Sequence, residues 1–109
     1  KLIELWHFPD QAPVIKTKDE GLALYLVDDG TLTVNKGAGF LRKGEDVAKV
    51  TTGAVLGEIS ILTFALSNAD VIAQGPVKIF VMSRDLFRKI SEENRDFYVN
   101  INRIAKTRR

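Results

Sequence analysis

Between Val14 and Val81 the chain divides into strand-length apolar runs at short, even intervals, separated by turn-forming residues, and after Ser83 this gives way to helical spacing. A helix shows its apolar residues every three to four positions over about ten residues or more, a strand alternates over about four to eight, so the two regimes do not exchange roles. Leu22-Ala23-Leu24-Tyr25-Leu26-Val27 is almost wholly apolar, as a strand buried on both faces should be, whereas Thr31-Leu32-Thr33-Val34-Asn35 alternates like a half-buried strand. Shorter strands are expected at Val14-Ile15-Lys16, Phe40-Leu41-Arg42, Val47-Ala48-Lys49-Val50, Ala54-Val55-Leu56, Asp70-Val71-Ile72-Ala73 and Val77-Lys78-Ile79-Phe80-Val81. Asp28-Asp29-Gly30, Lys36-Gly37-Ala38-Gly39, Lys43-Gly44-Glu45-Asp46 and Gln74-Gly75-Pro76 read as the turns and loops between them. Short strands at such spacing specify a closed or sandwiched antiparallel β-structure.

Beyond the strands, Ser83 reads as the N-cap of a helix from Arg84 to Ile90, and Ser91, followed by Glu92 and Glu93, as the cap of a second helix. Phe87, Ile90, Phe97, Ile101 and Ile104 form an apolar stripe at helical spacing across both. Such a stripe either packs onto the β-core of its own chain or forms the seam of a homodimer through the C-terminal helix.

At 109 residues the chain holds one domain with one core. It contains no cysteine, which excludes disulfides, thiolate metal sites and a cysteine nucleophile. Its single histidine, His7, lies among apolar residues and reads as a surface or packing residue, so no histidine-rich metal site and no metal cofactor is expected. Serine–histidine catalysis lacks its parts as well, and the chain is not expected to be an enzyme. The net charge of +2 does not support a general nucleic-acid surface, and Arg103, Lys106, Arg108 and Arg109 read as a solvated helix end complementing the helix dipole. Glu45-Asp46 and Asp28-Asp29 lack the spacing of a calcium loop. No apolar run approaches the roughly 20 residues of a membrane span and no signal-peptide pattern opens the chain, so a cytoplasmic location is expected.

Gly57-Glu58-Ile59-Ser60-Ile61-Leu62, followed by Ser67-Asn68-Ala69-Asp70-Val71-Ile72-Ala73, resembles the phosphate-binding cassette of cyclic nucleotide-binding domains. Leu24 to Val34 is similar to that family's strand–turn–strand segment around a central glycine, and Val77 to Phe87 to its strand entering the first C-terminal helix. The resemblance, from about Leu5 to Ile104, implies a mainly β fold: an eight-stranded antiparallel β-roll of the jelly-roll kind over about residues 10–82, followed by C-terminal α-helices over about 83–108. It is the effector fold of catabolite activator proteins and of the regulatory subunits of cAMP-dependent protein kinase. Too few residues precede Leu5 for the family's N-terminal helical piece, so trimming upstream is expected. No helix-turn-helix pattern follows the β-roll, and a chain ending at Arg109 is not expected to bind DNA as a transcription factor.

In the resembled family the cassette glutamate holds the ribose 2′-hydroxyl, helix-start N–H groups face the cyclic phosphate, and an arginine pairs with it. The resemblance therefore assigns binding to Gly57, Glu58, Ile59, Ser60, Ser67 and Asn68, with cAMP or cGMP as ligand. At the arginine position this chain has Ser67, which carries no charge, and Asn68 adds only a neutral donor. Losing one charge-assisted bond removes about 1.5–3 kcal/mol, so cyclic nucleotide binding is expected to be weak. Glu58 reads alternatively as a helix-start acceptor and Gly57 as a tight-turn residue. Asp70 alternates with Ala69 and Val71 and is expected to face away from the pocket. Phe64 and Leu66 either plug the pocket or pack against the C-terminal helix. In the resembled family base selection depends on residues near the cassette end and on the C-terminal helix, where Asn68, Tyr98 and Asn102 stand here without a pattern that selects adenine or guanine. Two functions follow from these residues: a ligand-sensing regulatory domain whose C-terminal helices report occupancy to a protein partner, or a ligand-independent interaction or dimerisation module with a vestigial pocket.

Overall fold

The computed structural model describes residues 3–36, 44–63 and 66–107. Two long strands organise it: β3 (Ala23–Lys36) and β6 (Ala69–Ser83) run antiparallel along their whole length, from Ala23 opposite Ser83 to Lys36 opposite Ala69. Along the outer side of β6 lie β1 (Glu4–Phe8) and β2 (Pro13–Ile15); along the outer side of β3 lie β4 (Glu45–Thr51) and β5 (Val55–Leu56). The six-stranded antiparallel sheet so formed is continued by α1 (Glu58–Thr63) between β5 and β6 and closed by α2 (Arg84–Glu93) and α3 (Arg95–Thr107).

The expected strand pairs on either side of Asp28-Asp29-Gly30 and of Gln74-Gly75-Pro76 are each one bent strand, β3 and β6, since pairing continues through both turns with a register shift around Asp29. Counting each bent strand as two halves restores the eight segments of a β-roll. The β-structure starts earlier than expected, at Glu4, because Glu4 to Phe8 pairs with Val77 to Val81. Glu45 and Asp46, expected in a loop, belong to β4 and pair with Lys36 and Asn35. The strand expected at Phe40-Leu41-Arg42 lies outside the described residues, as do Gly37 to Gly39, Lys43, Arg108 and Arg109.

Inside the roll Val27, Leu32, Ala73, Val77 and Ile79 are almost completely enclosed and cluster with Ile15, Leu56, Val71 and Val81. A second cluster joins Leu24, Ile61, Phe87 and Ile101, with Met82 and Phe97 packed against it. Alternation therefore splits the Leu22–Val27 run: Ala23, Tyr25 and Val27 meet the roll, Leu24 meets the helices, and Leu22 and Leu26 remain 62% and 42% exposed. The helical stripe packs onto its own chain through Phe87, Phe97 and Ile101.

Ser83 caps α2 as expected, its side chain accepting the Leu86 N–H at 3.2 Å. Ser91 does not begin the next helix. It lies inside α2, and Asn94 takes that role, its Oδ1 accepting the Phe97 N–H at 3.2 Å while its own N–H donates to the Ile90 carbonyl. Asparagine serves both ends here, because its extended backbone stops one helix and its amide oxygen starts another.

Candidate functional site

Gly57 joins β5 to α1 at φ +81°, and a Cβ there would lie 2.8 Å from the Ala23 carbonyl oxygen and 3.2 Å from the Tyr25 ring. Only glycine fits both the backbone angle and the contact. Glu58, the first residue of α1, is 3% exposed. The helix is held from both sides at Ser60: Gly21 lies where a Cβ would come 2.5 Å from the Ser60 carbonyl carbon, and Arg84 Nη2 donates to the Ser60 carbonyl oxygen at 3.2 Å.

Across from α1, the Lys16–Asp19 turn grips Ser67. The Lys18 N–H donates to the Ser67 carbonyl at 2.6 Å, and the Ser67 N–H to the Asp19 carbonyl at 2.9 Å. The Ser67 hydroxyl donates to the Ala69 carbonyl at 2.8 Å and accepts the Ala69 N–H at 3.2 Å. Its one proton is thus committed within its own strand entry. Asp70 faces away from this space, accepting the Thr17 N–H at 2.7 Å and the Thr17 hydroxyl at 3.1 Å.

Gly57, Glu58, Ile59, Ser60, Ser67 and Asn68 all line one cavity of about 760 Å³, together with Leu66. Phe64, expected either to plug the pocket or to pack against the C-terminal helix, lies outside the described residues. Five further residues of the lining carry no signal in the sequence: Asp19, Glu20, Gly21, Tyr25 and Lys36. Burial first, and the Asp19 carboxylate second, push the Tyr25 phenol above its ordinary pKa. Of the three residues considered for base preference, Asn68 is at this cavity, whereas Tyr98 lines a separate groove between α1 and α2. His7 is exposed on β1, and the described residues contain no group of three potential metal ligands.

The family model for the cyclic nucleotide-binding domain matches residues 5–94. The chain belongs to the cyclic nucleotide-binding domain family. Domains of this family are regulatory rather than catalytic. This cyclic nucleotide-binding domain is 32% identical over 79 residues to the cGMP-dependent protein kinase egl-4 of Caenorhabditis briggsae and to that of Caenorhabditis elegans. The match covers 72% of the chain but only 10% and 9% of those kinases, so the chain spans about a tenth of their length. Among solved structures it is similar to the Thermus thermophilus catabolite activator protein, with a TM-score of 0.88 at 20% identity, covering 97% of the chain and 49% of that protein. The regulatory domain of Toxoplasma gondii PKA, crystallised with cAMP, gives a TM-score of 0.77 at 23% identity over 90% of the chain and 38% of its own. A transcriptional regulator from Thermotoga maritima gives 0.86 at 13% identity, covering 97% and 82%. At these identities the structural likeness establishes the fold: a mainly β antiparallel roll with C-terminal helices. No helix among the described residues is long and apolar enough to cross a membrane.

Proposed function

We propose that this chain is a small-ligand-sensing regulatory domain that takes a cyclic nucleotide only weakly, in the cavity lined by α1, the Asp19–Gly21 segment and Ser67. The observation that carries this reading is the Ser67 hydroxyl, whose proton goes to the Ala69 carbonyl at 2.8 Å in a cavity otherwise formed as a binding pocket. A cyclic phosphate carries a charge that must be matched when it leaves water. Ser67 offers neither a charge nor a free proton, while Glu58, the residue that stands at the family's ribose-binding position, lines the same cavity. The names of the relatives, a cGMP-dependent kinase and a PKA regulatory domain holding cAMP, support the ligand class.

Signalling would run through α1. Ile61 on that helix shares a cluster with Phe87 and Ile101, and Arg84 ties the Ser60 carbonyl to the start of α2. A ligand that shifts α1 changes contacts with both C-terminal helices, whose repositioning would be the output to a protein partner in a cytoplasmic setting. Calorimetric titration with cAMP and cGMP tests the reading, with dissociation constants weaker than about 10 μM expected and tighter ones against it. In a Ser67→Arg variant cyclic nucleotide affinity should rise by about tenfold or more, since a charge-assisted bond contributes about 1.5–3 kcal/mol.

A second reading, a ligand-independent interaction or homodimerisation module, is favoured by Tyr98 and Val99, which stand 41% and 40% exposed on α3. Absence of any cyclic nucleotide binding in the Ser67→Arg variant would favour it.

A further inference from the structure

Strand alternation places Lys36 at the cavity. Side chains two positions apart share one face of a strand, and Val34 and Lys36 of β3 both line the cavity. Across the ladder Val34 stands opposite Val71 and Lys36 opposite Ala69, and both of these β6 residues line it too. Lys36 is thus one strand away from the entry to β6, where Ser67 lies two residues before Ala69. Among the described lining residues Lys36 is the one that carries a positive charge. Glu45 stands opposite it on β4, yet no carboxylate of the described residues comes within ion-pair distance of Lys36. Two carboxylates of the lining have other partners: Asp19 accepts the Lys16 N–H at 2.8 Å, and Glu58 is engaged within the protein.

Position 67 supplies no charge, so a cyclic phosphate entering this cavity has to be matched by a cation from elsewhere in the wall. An ammonium is a point charge on a flexible four-carbon stem, and it binds phosphate without the fixed fork geometry of a guanidinium. We infer that Lys36 is a ligand-binding residue that pairs with the phosphate of a cyclic nucleotide, an inference that rests on the ligand-sensing reading above. The charge then comes from the strand beside the cassette rather than from the cassette itself. Lys36 is exposed at the end of β3, where water and salt screen it. The pair therefore favours a cyclic nucleotide over an uncharged nucleoside while adding only modest affinity.

Calorimetry with cAMP, cGMP, adenosine and guanosine tests this on the parent domain and on Lys36→Gln, Lys36→Arg and Lys89→Gln, each checked for folding by circular dichroism. At low salt Lys36→Gln should bind the cyclic nucleotides about threefold to tenfold more weakly, the range of one screened charge pair, with the nucleosides unchanged. Lys36→Arg, which keeps the charge, should restore most of that loss. Lys89 is exposed on α2 and outside the cavity lining, so Lys89→Gln removes the same charge and should leave all four ligands as they were. Raising the salt should weaken cyclic nucleotide binding in the parent and bring it level with Lys36→Gln. Equal cyclic nucleotide affinities in the parent and Lys36→Gln at low salt overturn this inference and leave the sensing reading standing. So does a loss that the nucleosides share or that Lys89→Gln reproduces. A parent domain that binds neither cyclic nucleotide overturns both.

Discussion

Gly21 lies against Ser60 so closely that a Cβ on the glycine would fall 2.5 Å from both the carbonyl carbon and the Cβ of the serine. These residues, 39 positions apart by number, bring the segment before β3 onto the cassette helix and close one wall of the cavity. Backbone atoms cannot yield as a side-chain tip can. A Gly21→Ala substitution must therefore displace α1, and a loss of about 1–3 kcal/mol is expected in urea unfolding. Ligand affinity should fall with it, as calorimetry on the folded variant would show.

Gly57→Ala is expected to be at least as harmful for a different reason. The new methyl would press on the Ala23 carbonyl oxygen at 2.8 Å, and the backbone would be held at φ +81°. A destabilisation of about 1–3 kcal/mol should appear in the unfolding midpoint.

Ile101 and Val99 lie on the same helix with opposite consequences. Ile101 is buried with Leu24, Ile61 and Phe87, so Ile101→Asp sets an unmatched carboxylate in an apolar cluster and should cost about 3–5 kcal/mol. Val99 is 40% exposed, and Val99→Asp should change stability by no more than about 0.5 kcal/mol. Unfolding curves distinguish the two, and gel filtration of the Val99→Asp protein reports whether that face joins copies of the chain.

Acid sensitivity should include a contribution from Asp10. Its carboxyl is held below the usual range, first by the Gly75 N–H at 2.7 Å and then by the Gln11 amide. A lowered pKa in the folded state means that the contribution is present above the unfolded value of about 3.9 and lost as pH falls through the folded one. The stability difference between Asp10→Asn and the parent protein should accordingly be greatest near neutrality and close at low pH.

At the alkaline end the sign reverses. Burial and the Asp19 charge favour the protonated Tyr25 phenol, so stability should be intact below about pH 10 and decline above it. Spectrophotometric titration should show one of the two tyrosines ionising late. Asp19→Asn should bring that titration part of the way down, leaving the larger burial effect in place.

Local rules accounted for much of the molecule. Alternation in Thr31 to Asn35, the glycine before Glu58 and the hydroxyl of Ser83 each act over a few residues, and each has the expected structure. The errors share a cause: Ser91 and Asn94 are both competent caps, and the extended backbone at Asn94 determined which one starts α3. Composition did not reveal that the turns at Gly30 and Gly75 would bend strands rather than end them, because pairing between β3 and β6 carries the ladder across both.

Short motifs sufficed to point to the family and to six of the residues that line the cavity, since these are contiguous or nearly so and their chemistry can be read in order. Which other residues share the cavity with them depends on the folded chain. Asp19, Glu20, Gly21 and Tyr25 reach the cavity through long-range pairing, with the Asp19 carbonyl accepting the Ser67 N–H at 2.9 Å. Ser67 likewise could be seen to lack a charge. That its proton is also committed, to Ala69, depends on a side-chain rotamer and a strand entry that no local pattern specifies.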